Sequence, residues 1–313
     1  MIPSTMIFSA SFHVLHETRY DYAHTVSLSQ QLLQLKPRTF QFQHCMAHQI
    51  SVTPTPTEQH DAFDYFGNHR QYLSISEPSE LLLISAESTI SLLARPGHEL
   101  LLDSKPWELV RDNLREISRP VTNDPQGLEP MKFLFESPHV SLSEELRKYA
   151  SESFRPGGSV LAGALDLTEK IHRDFVFDPE ATDISTPLSE LLRIRRGVCQ
   201  DFAHLMIGCL RSLGLSCRYV SGYILTNPAP GMPRLVGADA SHAWVSVYCP
   251  SIGWVDFDPT NRCMVNLEHV TLGWGRDFSD VSPIRGVMLG GGQQTLKVSV
   301  TVTPLSQATS VNT

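Results

Sequence analysis

The sequence predicts an α+β fold, with an N-terminal all-β domain at residues 1–105 and a mixed helix and strand domain at residues 106–313. Short apolar segments separated by prolines and glycines fill the first of these regions. A helical period replaces them between residues 107 and 177, and alternating strands follow a helix that begins near Cys199. With 313 residues, of which 41% are hydrophobic, the chain can bury a core large enough for two domains.

The N-terminal domain is predicted to consist of strands, because apolar segments alternate with turn residues along it. Its histidines lack the spacing of metal ligands, and no set of side chains suited to catalysis is visible in it. We therefore expect this domain to support or shape a cleft. The predicted strands are residues 12–17, 27–36, 48–53, 71–76 and 81–93.

Three helices are predicted in the next stretch. The first covers residues 107–117. The spacing of Ser141 and Glu144 is that of a capping box, which predicts a second helix running to about residue 154. The third runs from about residue 159 to 175, and its apolar side is expected to pack under the helix of Cys199.

The segment around Cys199 indicates a loop that tightens at Gly197 and then becomes a helix. Cys199 falls in the first helical turn, where unpaired backbone N–H groups, the helix dipole and Arg195 and Arg196 would favour its thiolate. Free cysteines are also among the most often buried residues, so Cys199 alone does not indicate catalysis. The apolar stripe of the helix is Phe202, Leu205, Met206, Cys209, Leu210 and Leu213.

Two strands joined by a turn at residues 249–253 carry a histidine and a carboxylate. A hairpin centred near Pro250 would place His242 directly opposite Asp258, close enough for a hydrogen bond between their side chains. Asp256 lies on the same face and is the second candidate for that partner. The opposite, apolar face is predicted to hold Ala243, Val245, Val247, Val255 and Phe257.

A cysteine at a helix N-terminus together with a histidine and a carboxylate on a hairpin is suited to acyl transfer. Cys199 would attack a carbonyl carbon, His242 would take and return the proton, and Asp258 would orient the imidazole. The backbone N–H of Cys199 is a candidate oxyanion donor, and Gln200 is a possible second one.

At these residues the chain resembles the bacterial transglutaminase-like cysteine proteases of the transglutaminase core superfamily. The resemblance extends to GWGRD at 273–277 and DVSP at 280–283, and to HETRYDY at 16–22, which looks like the start of the family's accessory domain. The three ordered motifs that carry it are RGVCQDFAH at 196–204, GADASHAWV at 237–245 and GWVDFDPTN at 253–261.

The resemblance implies a papain-like catalytic domain and a triad of Cys199, His242 and Asp258. It implies a cysteine peptidase or amidase that hydrolyses a peptide or isopeptide bond through a thioester, without a cofactor. In many superfamily members an aromatic residue with a polar tip assists the oxyanion site, whereas Phe177 offers no such donor.

Three alternatives stay open at this point. An amine in place of water as acceptor would make the protein a cross-linking transglutaminase. A second alternative is a peptide-binding module that keeps the fold without catalysis. A third is a metal site formed by Cys199, His242 and Asp258, although no paired-ligand spacing supports it and we expect none.

Further residues near the motifs are candidates for substrate binding. Asp239 and Ser241 flank His242 and could recognise an amine or amide. Trp274 and Arg276 belong to a segment that could fold over the site and meet a charged substrate end, or instead form an Arg–Asp pair that fixes a turn. The proline-rich loop at residues 227–233 could line the cleft or be a plain connection.

Bulk composition sets the expected partners and location. A formal net charge of −8 without a basic run argues against nucleic acid as a partner, and leaves a peptide or protein substrate. The six cysteines form no Cys-x-x-Cys pair, which fits a reducing compartment. Because we see neither a leader pattern nor a long apolar run, we expect a cytoplasmic protein that does not act at a membrane.

Overall fold

The structure is a computed structural model that describes residues 8–117, 128–226, 240–250 and 252–305. The helices are α1 Glu99–Asp103, α2 Trp107–Ile117, α3 Glu144–Ser151, α4 Val160–Asp174, α5 Leu188–Ile194, α6 Cys199–Ser212 and α7 Phe278–Val281, with a 3₁₀ helix at Glu129–Phe133. The strands are β1 Ser9–Leu33, β2 Gln43–Thr53, β3 Glu58–Phe63, β4 His69–Ile75, β5 Ser79–Leu93, β6 Val176–Phe177, β7 Arg196–Gly197, β8 Cys217–Ile224, β9 Ala240–Cys249, β10 Gly253–Asp258, β11 Cys263–Met264, β12 His269–Gly275, β13 Ile284–Gly290 and β14 Gln294–Pro304. None of the helices in these residues is both long and apolar enough to cross a membrane.

The N-terminal sheet is organised around β1, a single strand of 25 residues that replaces two of the predicted segments. Its alternating buried and exposed residues give it one face for the core. An irregularity between Asp21 and Val26 divides its pairing with β5, so that the first part of β1 pairs with β5 and the second part pairs with β4 and β13. The path through the sheet is β2-β5-β1-β4-β3.

Two strands from the C-terminal end complete this sheet. Both β13 and β14 pair with β1 and run antiparallel to it. Val300 and Val302 of β14 are buried with Phe12 and Val14 of β1, which explains why this end of the chain returns to the first sheet. The sequence placed residues 284–304 in the second domain, whereas the structure places them in the sheet of the first.

Two of the three predicted helices begin where the sequence indicated, and the other begins at a different cap and ends earlier, at Ser151. Helix α2 has the predicted bounds, and Ser159 caps α4 as its position indicated. Helix α3, however, is capped by Ser143, whose hydroxyl accepts the N–H of Leu146 at 3.2 Å. The prediction that Ser141 begins this helix was wrong, because Ser143 is the residue with extended backbone at the first turn.

The second sheet has the order β11-β10-β9-β8-β12 and separates two cores. On one side α6 packs against it, and the predicted apolar face of Ala243, Val245 and Val247 is buried there. Near its β8 and β12 edge, Tyr223 and Leu272 pack with apolar residues of the first sheet, and the Tyr223 hydroxyl contacts His16 Nδ1 at 2.9 Å. The sheet is therefore held on both sides.

The β9–β10 hairpin has a different register from the predicted one. Cys249 pairs with Gly253 and Val245 with Phe257, so the turn is centred on residue 251 and not on Pro250. The N–H of Ile252 donates to the Cys249 carbonyl at 3.0 Å, and Gly253 takes a φ of 95° that favours glycine. The shift moves each partner by two residues, and it therefore leaves every side chain on its predicted face.

Gly222 tests the packing of this sheet. A Cβ there would lie 2.1 Å from the Val270 carbonyl oxygen and 2.5 Å from the Trp244 ring. Because neither neighbour can move freely, we expect Gly222→Ala to lower the free energy of unfolding by about 3 kcal/mol in urea titrations followed by circular dichroism. Gly97→Ala is the control, since its Cβ would meet only the far end of the Glu99 side chain, at 3.2 Å, and should change stability by less than about 0.5 kcal/mol. Equal stabilities for the two variants would contradict this account.

Candidate active site

The first residue of α6 is Cys199, as the sequence predicted. Asp201 fixes this helix end, because its Oδ2 accepts the Val198 N–H at 2.8 Å and the Thr182 hydroxyl at 2.6 Å. A Cβ on Gly197 would lie 2.6 Å from the same Oδ2. Glycine at 197 therefore lets the chain pass close to Asp201 and place Cys199 at the helix N-terminus.

A short parallel pairing of β6 with β7 holds the segment before Cys199. Phe177 pairs with Gly197, and the N–H of Asp178 donates to the Gly197 carbonyl at 2.8 Å. The two arginines expected to favour the thiolate bind carboxylates here. Arg195 lies 3.5 Å from Asp174, and Arg196 lies 2.5 Å from Asp178.

His242 and Asp258 form a buried pair. Nε2 of His242 lies 2.6 Å from Oδ2 of Asp258, and the two side chains are 5% and 0% exposed. In the observed register Phe257 pairs with Val245, so Asp258 is not directly opposite His242. The two side chains of His242 and Asp258 therefore meet diagonally across the strands. The predicted contact is therefore present, but the prediction that the two residues are directly opposed was wrong.

The carboxylate of Asp258 accepts five hydrogen bonds. Its Oδ1 accepts the backbone N–H groups of Thr260 and Asn261 at 2.9 and 3.1 Å. Its Oδ2 lies 2.7 Å from Nδ2 of Asn261, 2.6 Å from His242 and 3.1 Å from Nε2 of His269. Burial acts to raise the pKa of Asp258, but the bonds from His242 and His269 outweigh it and hold the pKa well below its usual range.

The imidazole of His242 connects this carboxylate to the thiol. Burial acts to lower the pKa of His242, whereas hydrogen bonds with Asp258 and Cys199 raise it to about 10. Because Nε2 faces Asp258, the nitrogen left for the sulfur is Nδ1. His242 is therefore protonated at neutral pH, and its positive charge lies between a carboxylate and the thiol.

Cys199 and Gln200 lie together at the helix end. The thiol is 7% exposed and donates to Oε1 of Gln200 at 3.2 Å. The backbone N–H of Cys199 is among the first in α6, which have no partner within the helix. The structure thus brings Cys199, Gln200, His242 and Asp258 into one group.

The other predicted residues lie apart from the thiol or have other partners. Asp256 does not face His242, because its carboxylate binds the Arg95 guanidinium and accepts the Trp244 indole N–H at 3.1 Å. Ser241 is half-buried beside His242 and pairs with Tyr223. Asp239 and the loop at residues 227–233 lie outside the described residues.

Trp274 and Arg276 belong to the end of β12 and the residues after it. The Trp274 ring lies between the guanidinium groups of Arg38 and Arg218. Arg276 binds both carboxylate oxygens of Asp280 at 2.9 Å. Arg276 thus forms an Arg–Asp pair at a turn, with Asp280 as the carboxylate.

Two neighbours of Asp258 were not assigned a role from the sequence. Asn261 follows Asp258 by three residues, and this short spacing was the feature of the sequence that could have indicated their contact. His269 begins β12, eleven residues further along, and no local pattern connects it to Asp258. It is 3% exposed, and its Nδ1 has no hydrogen-bond partner among the described residues.

The same cluster offers three ligand atoms for a metal ion. His242, Asp258 and His269 each present one such atom, and these lie within 4.8 Å of one another. The metal site considered from the sequence used Cys199 in place of His269. Imidazole and carboxylate ligands suit zinc, so a metal would compete with the hydrogen bonds that Asp258 accepts here.

Two family models match the chain. Residues 12–91 match the bacterial transglutaminase-like N-terminal region, and residues 147–259 match the transglutaminase-like superfamily. The second match ends one residue after Asp258 and includes Cys199 and His242.

One relative covers nearly the whole chain, and another covers about half of it. An uncharacterized protein of Mycobacterium tuberculosis (strain ATCC 25618 / H37Rv) is 35% identical over 307 residues, which are 94% of this chain and 92% of that protein. A protein-glutamine gamma-glutamyltransferase of Pseudomonas aeruginosa is 32% identical over 156 residues, which cover 46% of this chain and 22% of that one.

A solved structure shares the fold. The 1.9 Å crystal structure of a protein from Cytophaga hutchinsonii, described as a candidate cysteine protease, has a TM-score of 0.73 and 21% sequence identity. It covers 96% of this chain and 93% of that one. The overall fold, with its two sheets, is therefore found in another protein.

The positive charge on His242 should make Cys199 reactive at low pH. Cysteine thiols ordinarily titrate near pH 8.5, about 2 units above the pH 6 used here. Because His242, with a pKa of about 10, stays protonated at pH 6, we expect iodoacetamide to label Cys199 there at least about 10-fold faster than in His242→Ala. The difference should close as the pH rises past about 8.5, where an ordinary cysteine thiol ionises without a neighbouring positive charge. Labelling is measured by mass spectrometry for each cysteine.

The other cysteines provide the control for this measurement. Burial raises the pKa of Cys263 to about 12 and that of Cys45 above its usual value, so neither should react at pH 6 in either protein. Equal labelling of Cys199 at pH 6 with and without the imidazole would show that His242 does not activate it.

Proposed function

The chain belongs to the transglutaminase-like superfamily, and from this membership we propose that it is a thiol-dependent acyl-transfer enzyme acting on peptide or protein substrates. The observation that carries the proposal is the buried pair of His242 and Asp258, at 2.6 Å, together with the Cys199 sulfur at a helix N-terminus, which acts with Asp258 to raise the pKa of His242. A thiolate, an imidazolium and a buried carboxylate are the three groups that this chemistry requires.

In the first half of the reaction, the Cys199 thiolate forms a bond to the carbonyl carbon of the substrate amide. The carbonyl electron pair moves to oxygen, and the backbone N–H of Cys199 is positioned to stabilise that charge. His242 then gives its proton to the leaving nitrogen, the C–N bond breaks, and an amine departs from a thioester. In the second half, neutral His242 takes a proton from the acceptor as the acceptor attacks the thioester and Cys199 leaves as thiolate.

Asp258 holds His242 in the tautomer and orientation that these proton transfers need. Since four donors besides His242 fix its carboxylate, the ring has one favoured position relative to the sulfur. Asn261 contributes a side-chain bond, and its Nδ2 also lies 3.2 Å from the imidazole.

We propose water as the acceptor, so that the product is a carboxylic acid and the enzyme is a cysteine peptidase or amidase. Hydrolysis requires no second binding site, because water is present at any accessible thioester. Cross-linking to an amine remains the second candidate, which the named activity of the Pseudomonas aeruginosa relative favours.

A product analysis distinguishes the two acceptors. We expect a peptide library incubated with the enzyme in ¹⁸O water to yield new carboxylates carrying the label, detected by mass spectrometry. Addition of an excess of a fluorescent primary amine should leave most of the product as acid. Predominant incorporation of the amine would establish the transglutaminase alternative, and the Cys199→Ala variant should show neither product.

Loss of all turnover in every library would overturn the enzyme proposal only if Cys199 also proved unreactive to iodoacetamide. A chelator such as EDTA should change neither turnover nor labelling, because no step uses a metal. A chelator-dependent loss of both would instead favour a metal at His242, Asp258 and His269.

Two aspartates on the same face of β10 provide a matched pair of variants. Asp258→Asn should lower kcat by about 10²-fold to 10⁴-fold, because an amide cannot hold the imidazolium in the same way. Asp256→Asn should change kcat far less but lower the free energy of unfolding by about 3 kcal/mol, since it leaves Arg95 buried without its carboxylate. Kinetics and urea unfolding of both proteins measure the contrast, and the reverse pattern would assign the orienting role to Asp256.

A further inference from the structure

A cavity of about 540 Å³ lies between the first sheet and the second. The residues following β1 and β5 form one side of it, and strands β8, β10, β11 and β12 form the other. Among the described residues, neither Cys199 nor His242 lines it, so it is separate from the thiol site. The residues that define its chemistry are Phe40, Phe42, Arg95, Arg218, Trp254 and Trp274.

Aromatic rings and guanidinium groups alternate in its wall. The Arg218 guanidinium lies 3.7 Å from the Trp274 ring centroid and 4.2 Å from that of Trp254. The Arg95 guanidinium lies 5.4 Å from the Phe40 ring centroid and 5.8 Å from that of Phe42. Such a wall offers flat apolar surfaces and a planar group that can pair with a carboxylate.

The charges that line this cavity do not balance. Arg95 and Arg218 face it with Asp256 as the only carboxylate among the described lining residues, and Asp256 is bound to Arg95. Glu129 pairs with Arg218 at 3.8 Å from Nη1, and the Arg218 Nε has no hydrogen-bond partner in the described part of the chain. The described lining residues therefore carry one more positive charge than negative, and Arg218 is paired only loosely, through Glu129.

Such a charge is costly to maintain. Burial lowers the pKa of Arg218 to about 9, and Arg38 and Arg95 add to this effect against the opposing influence of Asp256 and Glu129. A bound anion would compensate the excess charge, and the rings around it would cover the apolar part of the ligand.

We propose that this cavity binds an apolar monocarboxylate, preferably an aromatic one, with its carboxylate at Arg218 and its ring among Phe40, Phe42, Trp254 and Trp274. The ligand is either a small free acid or the C-terminal carboxylate of a peptide chain that ends in an aromatic residue. This binding does not depend on the thioester chemistry at Cys199, and its test uses a direct binding measurement.

The measurement is isothermal titration calorimetry on the Cys199→Ala protein, in which turnover cannot contribute heat. We expect N-acetyl-L-phenylalanine to bind with a Kd of about 1 mM, and its amide to bind at least about 10-fold more weakly, because only the acid carries the charge. A pentapeptide that ends in a free phenylalanine distinguishes the two sources. If the pentapeptide binds as tightly as the small acid, the natural ligand is a peptide end. If it binds at least about 10-fold more weakly, the natural ligand is a small free acid.

Two variants locate the ligand. Arg218→Met should remove the preference for the acid over the amide. Phe42→Ala should weaken the binding of both compounds, since it removes a half-buried ring without changing the charge. Arg193→Met, at an exposed arginine paired with Glu190, is the control and should bind like the parent protein. Circular dichroism shows whether each variant is folded.

Equal affinity for the acid and the amide in the parent protein would overturn the proposal, as would the absence of heat with either compound up to about 10 mM. If Arg218→Met does not fold, the comparison of acid with amide and the Phe42→Ala variant still decide the question. Unchanged binding in Phe42→Ala would show that the acid binds elsewhere.

Discussion

The buried carboxylate of Asp258 is the interaction on which the candidate site depends. A carboxylate without solvent exposure is tolerable only when its oxygens are fully hydrogen-bonded, and here five donors meet that need. The imidazole donors come from different strands, with His242 on β9 and His269 at the start of β12. The position of the His242 imidazole thus depends on the strand pairing of the second sheet. A change in that pairing would move the imidazole relative to the Cys199 thiol.

The thiol reaches this sheet from a separate element. Helix α6 is buried against β8 and β9, and its first turn is fixed by Asp201 and by the close passage of Gly197. The sulfur is on the helix and the imidazole is on the sheet. Their positions relative to each other therefore depend on how the end of the helix packs against the sheet. The two cores that hold the second sheet, one of which includes β14 packed with β1, therefore influence the reactivity of Cys199.

One face of β10 serves two sites. Asp256 and Asp258 are two residues apart and point the same way, yet Asp256 binds Arg95 beside the aromatic cavity and Asp258 binds His242. Trp244 lies between them, with its indole N–H on Asp256 and its ring 6.1 Å from that of His242. The cavity, which Asp256 lines, and the His242 imidazole, which Asp258 binds, are thus connected through β10 and Trp244.

The sequence by itself determined where α6 begins, at Cys199, and which residues lie on each face of the His242 hairpin, because these follow from local periods and caps. It did not determine the hairpin register, which depends on how the residues from Cys249 to Gly253 close their turn. It favoured Asp258 over Asp256 through a register that the structure does not have, and it did not find His269 or the return of β14. Those depend on partners far apart in the chain, Arg95 among them, and only tertiary packing brings such groups together.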